Sequence, residues 1–295
     1  MYIFVYIIAS LAGLYLLLSL AIAVYIMRPL RRTPAQLAEE ELGIKQVDPA
    51  LYEIPFEELW LKSDFGYDLY GRFYKANSNK YVLLLHGHNS ASSGMVRYLK
   101  IFYDRGYNVV IPDHRYSARS GGKCITYGYK EKLDAVKFIE YIKGIDKDAE
   151  IGVMGESMGA ATAIMLTAMM GDFAFCIGYC GYADIDSVMR TTVKSIAPPL
   201  IICYPTAKVF YRLFTGISLD DIDVAAAAKD IACPTLILHS KGDKLVSYSN
   251  HKRILDNLKK GEHVAFEASG HGLSINTYPL QFTGAVNSFL DKIKF

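Results

Sequence analysis

The chain has 295 residues, of which 52% are hydrophobic, and a formal net charge of +2. This balance, without a basic stripe, argues against nucleic acid or another polyanion as a partner. After the first 32 residues about 263 remain, a length that suits one α/β domain with a large buried core.

The chain opens with an uncharged apolar segment. Residues 1–27 carry no charged side chain and are long enough to cross a bilayer as one helix. Arg28, Arg31 and Arg32 follow directly, so the positive-inside rule predicts a single-pass anchor in the cell membrane with a cytoplasmic catalytic domain. The alternative is a cleaved signal peptide, because residues 21–23 (Ala-Ile-Ala) imitate a cleavage site, but no Lys or Arg precedes the apolar segment.

A polar juxtamembrane tether is predicted next, over residues 28–54, with an acidic patch at residues 39–41. The main domain is predicted from residue 55 to 295. Its first two strands, at 56–61 and 67–74, are separated by a hydrophilic turn typical of a hairpin.

A Gly-x-Ser-x-Gly pentapeptide, Gly155-Glu156-Ser157-Met158-Gly159, lies between a predicted strand at 151–154 and an apolar helix at 158–170. In this pattern the serine occupies a strained turn that lifts its hydroxyl above the sheet. The two glycines are needed because a side chain at either place would collide with the neighbouring strand or helix. Ser157 is therefore the candidate nucleophile.

Two further candidates follow predicted strands in chain order. Asp243 comes after the apolar strand at 234–239, and His271 comes after the strand at 263–268. Open α/β sheets place their sites just outside the carboxyl ends of the strands. We therefore predict a catalytic triad of Ser157, Asp243 and His271. The rival aspartates for the acid role lie in an irregular segment: Asp184, Asp186, Asp220, Asp221 and Asp223.

Another buried strand, at 81–85, ends in His86-Gly87-His88. The backbone N–H groups of His88 and of Met158 are predicted to form the oxyanion hole. His86 is expected to be a structural histidine of this loop.

These residues resemble those of the α/β-hydrolase superfamily, and most of all bacterial membrane-anchored hydrolases that are serine aminopeptidase-like or dienelactone-hydrolase-like. The resemblance covers about residues 55–295 and includes Asp113-His-Arg115 with Ser120-Gly-Gly, and the pattern Gly128-x-x-Glu-x-x-Asp134. It implies an α/β-hydrolase fold: a mostly parallel eight-stranded sheet with helices on both faces. It also implies a helical cap at about 183–228, between the sixth and seventh strands.

Several other groups are given structural roles. Asp113 and Arg115 are expected to brace loops through an ion pair, and His251 and His263 are expected at the surface. The cysteines have no framework spacing and are interpreted as packing residues: Cys124, Cys176, Cys180, Cys203 and Cys233. No cluster has metal-ligand spacing and no phosphate-binding loop is found, so neither a metal nor a cofactor is expected.

The predicted function is that of a membrane-anchored serine hydrolase, which cleaves a small carboxylic ester or related acyl substrate through an acyl-enzyme on Ser157. A serine peptidase with the same triad is the alternative, and acyl transfer to an acceptor other than water also stays open. A non-catalytic binding protein on this fold is a third hypothesis, against which the complete triad argues. Apolar side chains of the cap either line an acyl pocket or pack the cap onto the main domain: Ile201, Ile202, Tyr204, Phe210, Tyr211, Leu213 and Phe214.

Overall fold

The computed structural model describes residues 2–43 and 47–293 and places an eight-stranded sheet at the centre of the main domain. The strands are β1 (Glu57–Lys62), β2 (Asp68–Tyr74), β3 (Lys80–Leu85), β4 (Asn108–Pro112), β5 (Glu150–Glu156), β6 (Phe175–Tyr179), β7 (Thr235–Ser240) and β8 (Gly261–Phe266). Their order is β1-β2-β4-β3-β5-β6-β7-β8. Only β2 runs antiparallel to its neighbours, which confirms the predicted mostly parallel sheet.

Two helices precede the sheet in the chain, and the others connect or follow its strands. They are α1 (Tyr2–Met27), α2 (Pro34–Gly43), α3 (Ser92–Met95), α4 (Leu99–Tyr103), α5 (Tyr129–Ile145), α6 (Met158–Met170), α7 (Ile185–Ile196), α8 (Tyr204–Thr215), α9 (Val224–Ala228), α10 (Ser249–Leu255), α11 (Ser274–Thr277) and α12 (Pro279–Lys292). Short 3₁₀ helices cover Pro49–Glu53, Val96–Tyr98, Pro198–Cys203 and Leu219–Asp221.

The apolar runs of the sequence form the central strands. β3, β4, β6 and β7 are buried along almost their whole length, because helices cover both faces of the sheet. One core layer packs α5, α6 and the end of α1 against the sheet, and the other packs α4 and α12. Helices on both faces were predicted, and the structure confirms them.

The cap lies between β6 and β7, as predicted, and is built from α7, α8 and α9. Its apolar residues neither all line a pocket nor all pack the cap onto the main domain. Tyr204 and Tyr211 are buried in the core, whereas Ile202, Leu213 and Phe214 are exposed on the outside of the cap. The prediction that this set as a whole is buried is therefore wrong, because α8 carries apolar residues on two sides and only the side with Tyr204 and Tyr211 faces the core.

The N-terminal helix is long and apolar enough to cross a membrane, and its first part is exposed. Its last turns are different, because Ile22, Ala23, Ile26 and Met27 are buried in the core of the main domain. The Tyr127 hydroxyl donates to the carbonyl oxygen of Ile26 over 2.7 Å. The helix is thus docked onto the domain that follows it.

The segment predicted as a tether also packs on the domain. It contains α2, and Glu41 at the end of the predicted acidic patch is buried at 1% exposure. Arg28 and Arg31 donate hydrogen bonds to backbone carbonyl groups of the 118–123 loop. The arginines after α1 thus fix this helix to the domain in addition to carrying charge.

Candidate active site

The backbone around Ser157 forms a tight turn between β5 and α6. Ser157 has φ = 54°, a left-handed conformation that costs energy for a residue with a side chain. A Cβ on Gly155 would lie 2.0 Å from the carbonyl oxygen of Gly159, and a Cβ on Gly159 would lie 2.0 Å from that of Leu85. Only glycine fits at either position, as the Gly-x-Ser-x-Gly pattern predicts.

The structure brings the three predicted triad residues together. His271 Nε2 lies 2.8 Å from Ser157 Oγ, and His271 Nδ1 lies 2.7 Å from Asp243 Oδ2. Ser157 follows β5, Asp243 follows β7 and His271 follows β8, so all three lie beyond the carboxyl ends of parallel strands. The rival aspartate Asp184 instead caps the start of α7 by accepting from the backbone of Ser187.

Asp243 is held as an ionised acceptor. Its Oδ1 accepts hydrogen bonds of 2.9 Å from the backbone N–H groups of Leu245 and Val246. Burial by itself would raise the pKa of Asp243, but hydrogen bonds from His239 and His271 and the backbone lower that pKa well below its usual range. The carboxylate therefore stays charged at neutral pH and can fix the tautomer of His271.

The loop after β3 lies directly beside the nucleophile. A Cβ on Gly87 would lie 3.3 Å from Ser157 Cβ, and His88 and Met158 both line the cavity around Ser157. His86 points away from it, since its Nε2 accepts from the backbone N–H of His114 over 2.8 Å. The structure thus brings both predicted oxyanion residues to the nucleophile and gives His86 a structural place.

A cavity of about 390 Å³ surrounds Ser157, a size typical of sites for small molecules. Its walls come from the loop after β3, the cap, and the end of α1 with the residues that follow it. The lining residues are Tyr25, Pro29, Leu30, His88, Asn89, Tyr127, Ser157, Met158, Tyr182, Ile185, Val188, Met189, Thr192, Leu245 and Val246. This lining is largely apolar and includes no carboxylate. It also differs from the expected cap residues, because α7 rather than α8 faces the cavity.

A buried charged pair beneath the turn is absent from the sequence-based prediction. Arg97 forms an ion pair with Glu156, the residue before the nucleophile, and the Tyr98 hydroxyl donates to the same carboxylate over 2.5 Å. Burial alone would lower the pKa of Arg97, but the charges of Glu156 and Glu41 raise it above its usual value. Loss of one partner would leave an uncompensated buried charge, so the pair holds the turn in place.

Two of the predicted structural roles are wrong. Asp113 accepts from the backbone N–H groups of Ser92 and Arg119, while Arg115 faces Asp134 at 3.9 Å, so the predicted ion pair between residues 113 and 115 does not form. Both residues follow the end of β4, where Asp113 is occupied by backbone N–H groups and Arg115 lies beside Asp134 instead.

The second concerns His251, predicted at the surface. It is buried at 2% exposure and stacks on Tyr248 with a ring separation of 4.9 Å, while His263 is exposed as expected. Burial lowers the pKa of His251 to about 4, with smaller contributions from the neighbouring histidines. Among the residues that the structure describes, no group of three His, Cys, Asp or Glu side chains is placed to hold a metal ion.

Known proteins share this fold. The chain matches the family model described as "Serine aminopeptidase, S33" over residues 76–209. It superposes on an esterase from Pyrococcus furiosus, Pf2001, with a TM-score of 0.68 and 23% identity, over 83% of this chain and 95% of that one. The fold is that of an α/β-hydrolase, and these matches support an assignment to the α/β-hydrolase superfamily.

Two relatives are similar to the chain in sequence. An uncharacterized protein of Bacillus subtilis, YqkD, is 29% identical over 261 residues, which cover 85% of this chain and 82% of that one. The lysophosphatidylserine lipase ABHD12 of Macaca fascicularis is 25% identical over 209 residues, or 66% of this chain. This α/β-hydrolase chain matches about half the length of that lipase. The comparisons support the coarse assignment of the protein as a hydrolase and hence an enzyme.

Proposed function

We propose that the protein is a serine hydrolase that cleaves a carboxylic ester through an acyl-enzyme on Ser157. The observation that carries this proposal is the continuous pair of hydrogen bonds from Ser157 through His271 to Asp243, at 2.8 and 2.7 Å. A serine hydroxyl is a weak nucleophile until a positioned base takes its proton, and His271 is in place to do so.

Each step of the reaction has a residue in place. Ser157 Oγ attacks the ester carbonyl and passes its proton to His271 Nε2, while Asp243 stabilises the imidazolium. The backbone N–H groups of Met158 and His88 stabilise the negative oxygen of the tetrahedral intermediate. The C–O bond to the alcohol then breaks and His271 protonates the leaving oxygen. Water, deprotonated by His271, releases the acid and restores Ser157.

The cavity favours an ester over a peptide substrate. A peptidase that trims N-terminal residues must hold the ammonium group of its substrate, and a buried cation needs an anionic or strongly polar partner. The residues that line the cavity around Ser157 include no carboxylate, and most of them are apolar. An apolar acyl or alkyl group fits these walls. We therefore rank the ester reaction above the aminopeptidase reaction that the family description names.

Labelling with a fluorophosphonate tests the nucleophile. The full-length protein in detergent is expected to be labelled, because the probe phosphorylates an activated serine, and Ser157→Ala is expected to remove the label. Ser195→Ala, on the exposed end of α7, is the matched control and should be labelled like the wild type. Persistent labelling of Ser157→Ala would refute the assignment.

We further propose that α1 is retained as a membrane anchor and that the catalytic domain is cytoplasmic. Cleavage after Ala23 would remove Ile22 and Ala23, both buried in the core, so a signal peptide would take part of the folded domain with it. Arg28, Arg31 and Arg32 carry the charge that favours the cytoplasmic side. A membrane-impermeant lysine reagent is expected to leave the domain of intact cells unmodified until lysis. Prompt labelling of intact cells, or a shortened soluble product, would contradict this topology.

A further inference from the structure

A second apolar depression lies between the anchor helix and the cap. We call it the anchor–cap groove; it has a volume of about 300 Å³ and its walls are Leu18, Ala21, Ile22 and Tyr25 of α1 with Val193, Ile196, Ala197 and Leu200 of the cap. Apart from the Tyr25 hydroxyl these side chains carry no polar atom. Such a surface has no affinity for a polar ligand, but it can bind a hydrocarbon chain.

The groove adjoins the cavity around Ser157. Tyr25 lines both spaces, so its side chain lies between them. On the cap side, α7 runs from one to the other: Met189 and Thr192 line the cavity, and the next residues, Val193 and Ile196, line the groove. A ligand with its reacting group at Ser157 therefore has an apolar path along α7.

The groove crosses the level at which the bilayer should end. At 1.5 Å per residue, Leu18 lies about 24 Å along α1 from Tyr2, and Tyr25 lies about 35 Å along it. The hydrocarbon core of a bilayer is about 30 Å thick. If α1 begins at the far surface, Leu18 lies within the hydrocarbon region and Tyr25 lies outside it. The groove then connects lipid to the nucleophile.

A contact between the cap and α1 places the start of α8 at a similar depth. Tyr15 Oη lies 2.7 Å from Oγ1 of Thr206, which fixes the start of α8 against the middle of the anchor. That level is about 10 Å inside the hydrocarbon region, by the same arithmetic. The outer side chains of the cap suit such a place, since Ile202 and Leu213 are 70% and 72% exposed. Large exposed apolar side chains in a cluster typically mark a membrane or protein contact.

We propose that the anchor–cap groove binds an acyl chain of a membrane lipid, and that this lipid reaches Ser157 from within the bilayer. The inference rests on the proposed function and names the class of its substrate. The ester carbonyl lies at Ser157, the acyl chain passes Tyr25, and the end of the chain lies along Val193 and Ile196. Only the ester group of the substrate then has to leave the lipid, while its acyl chain stays in an apolar environment.

The test blocks the groove. Full-length protein in nanodiscs is assayed on p-nitrophenyl esters from butyrate to palmitate. In the wild type, kcat/KM should rise with chain length, by about tenfold for each one or two methylenes that gain burial. Ala21→Trp fills the groove from α1, so the palmitate-to-butyrate ratio of kcat/KM should fall about tenfold to a hundredfold. Ala197→Trp fills it from the cap and should give the same change, which guards against a misfolded single variant.

Ala12→Trp is the matched control. Ala12 is exposed and nine residues before Ala21, or about two and a half turns, so it lies on the opposite face of α1. This variant should keep the wild-type ratio. An unchanged ratio in Ala21→Trp and Ala197→Trp would overturn the groove, and so would an equal fall in Ala12→Trp. Butyrate hydrolysis and fluorophosphonate labelling of the wild type report the proposed function separately; if both are absent, that function fails and the groove proposal with it.

Discussion

Replacement of His271 by alanine is expected to lower kcat for ester hydrolysis by about 10⁴- to 10⁶-fold while the protein remains folded. Without the imidazole, Ser157 Oγ loses the base to which it is hydrogen-bonded over 2.8 Å and which takes its proton. The residual rate would come from the oxyanion hole and substrate binding. Steady-state hydrolysis of a p-nitrophenyl ester by the full-length protein measures the effect.

His263→Ala is the control for this substitution. His263 is exposed on β8 and contacts His251 rather than the nucleophile, so kcat should stay within about twofold of the wild type. A loss of less than tenfold in His271→Ala, with an unchanged melting temperature, would show that another base activates the serine.

Asp243→Asn is expected to lower kcat about 10⁴-fold. The amide removes the negative charge that stabilises the imidazolium. It can also donate toward His271 Nδ1, which favours the tautomer that cannot accept the serine proton. Kinetics on the same ester check the size of the loss, and circular dichroism checks that the fold is retained.

The matched aspartate is Asp220 in the cap, which pairs with Lys208 and is exposed. Asp220→Asn should change kcat by no more than about twofold. Equal losses at positions 220 and 243 would mean that the acid has been assigned to the wrong residue.

Local patterns were enough to predict the turn at Ser157 and the strands around it. A side chain at Gly155 or Gly159 would clash with residues that are close in the chain or held in place by the sheet. A five-residue pattern is therefore enough to predict the turn. Burial on both faces makes β3 and β7 continuous apolar runs, which are readable without tertiary information. The chain order of Ser157, Asp243 and His271 then placed all three at one edge of the sheet.

Pairs distant in sequence could not be predicted in this way. Glu156 meets Arg97 across 59 positions, and nothing local to either residue marks the other as its partner. Glu41 belongs to a run of glutamates that looks solvated, yet it is buried where α2 packs on α3. A run of acidic residues predicts a negatively charged surface. Which side of a short helix is buried depends on the elements that pack against it, and these are not encoded locally.

The cap shows the same limit. Apolar residues on α8 satisfied both the pocket and the packing interpretation, because sequence gives the amphipathic period but not the direction in which each face points. The structure directs α7 to the cavity and part of α8 outward. The wall supplied by Tyr25 and Leu30 was missed because residues at the end of an anchor are ordinarily assigned to the membrane alone.

The docking of α1 through Ile22, Ala23 and Ile26 has a consequence for enzymology. An enzyme on a flexible tether samples the aqueous volume around its membrane, whereas the proposed anchoring through α1 would give this domain a fixed position and tilt at the lipid surface. Its rate should therefore follow the mole fraction of substrate in the bilayer rather than the amount per litre. Inert phospholipid added at constant bulk substrate would slow the reaction by surface dilution, and the Michaelis constant would be a two-dimensional quantity.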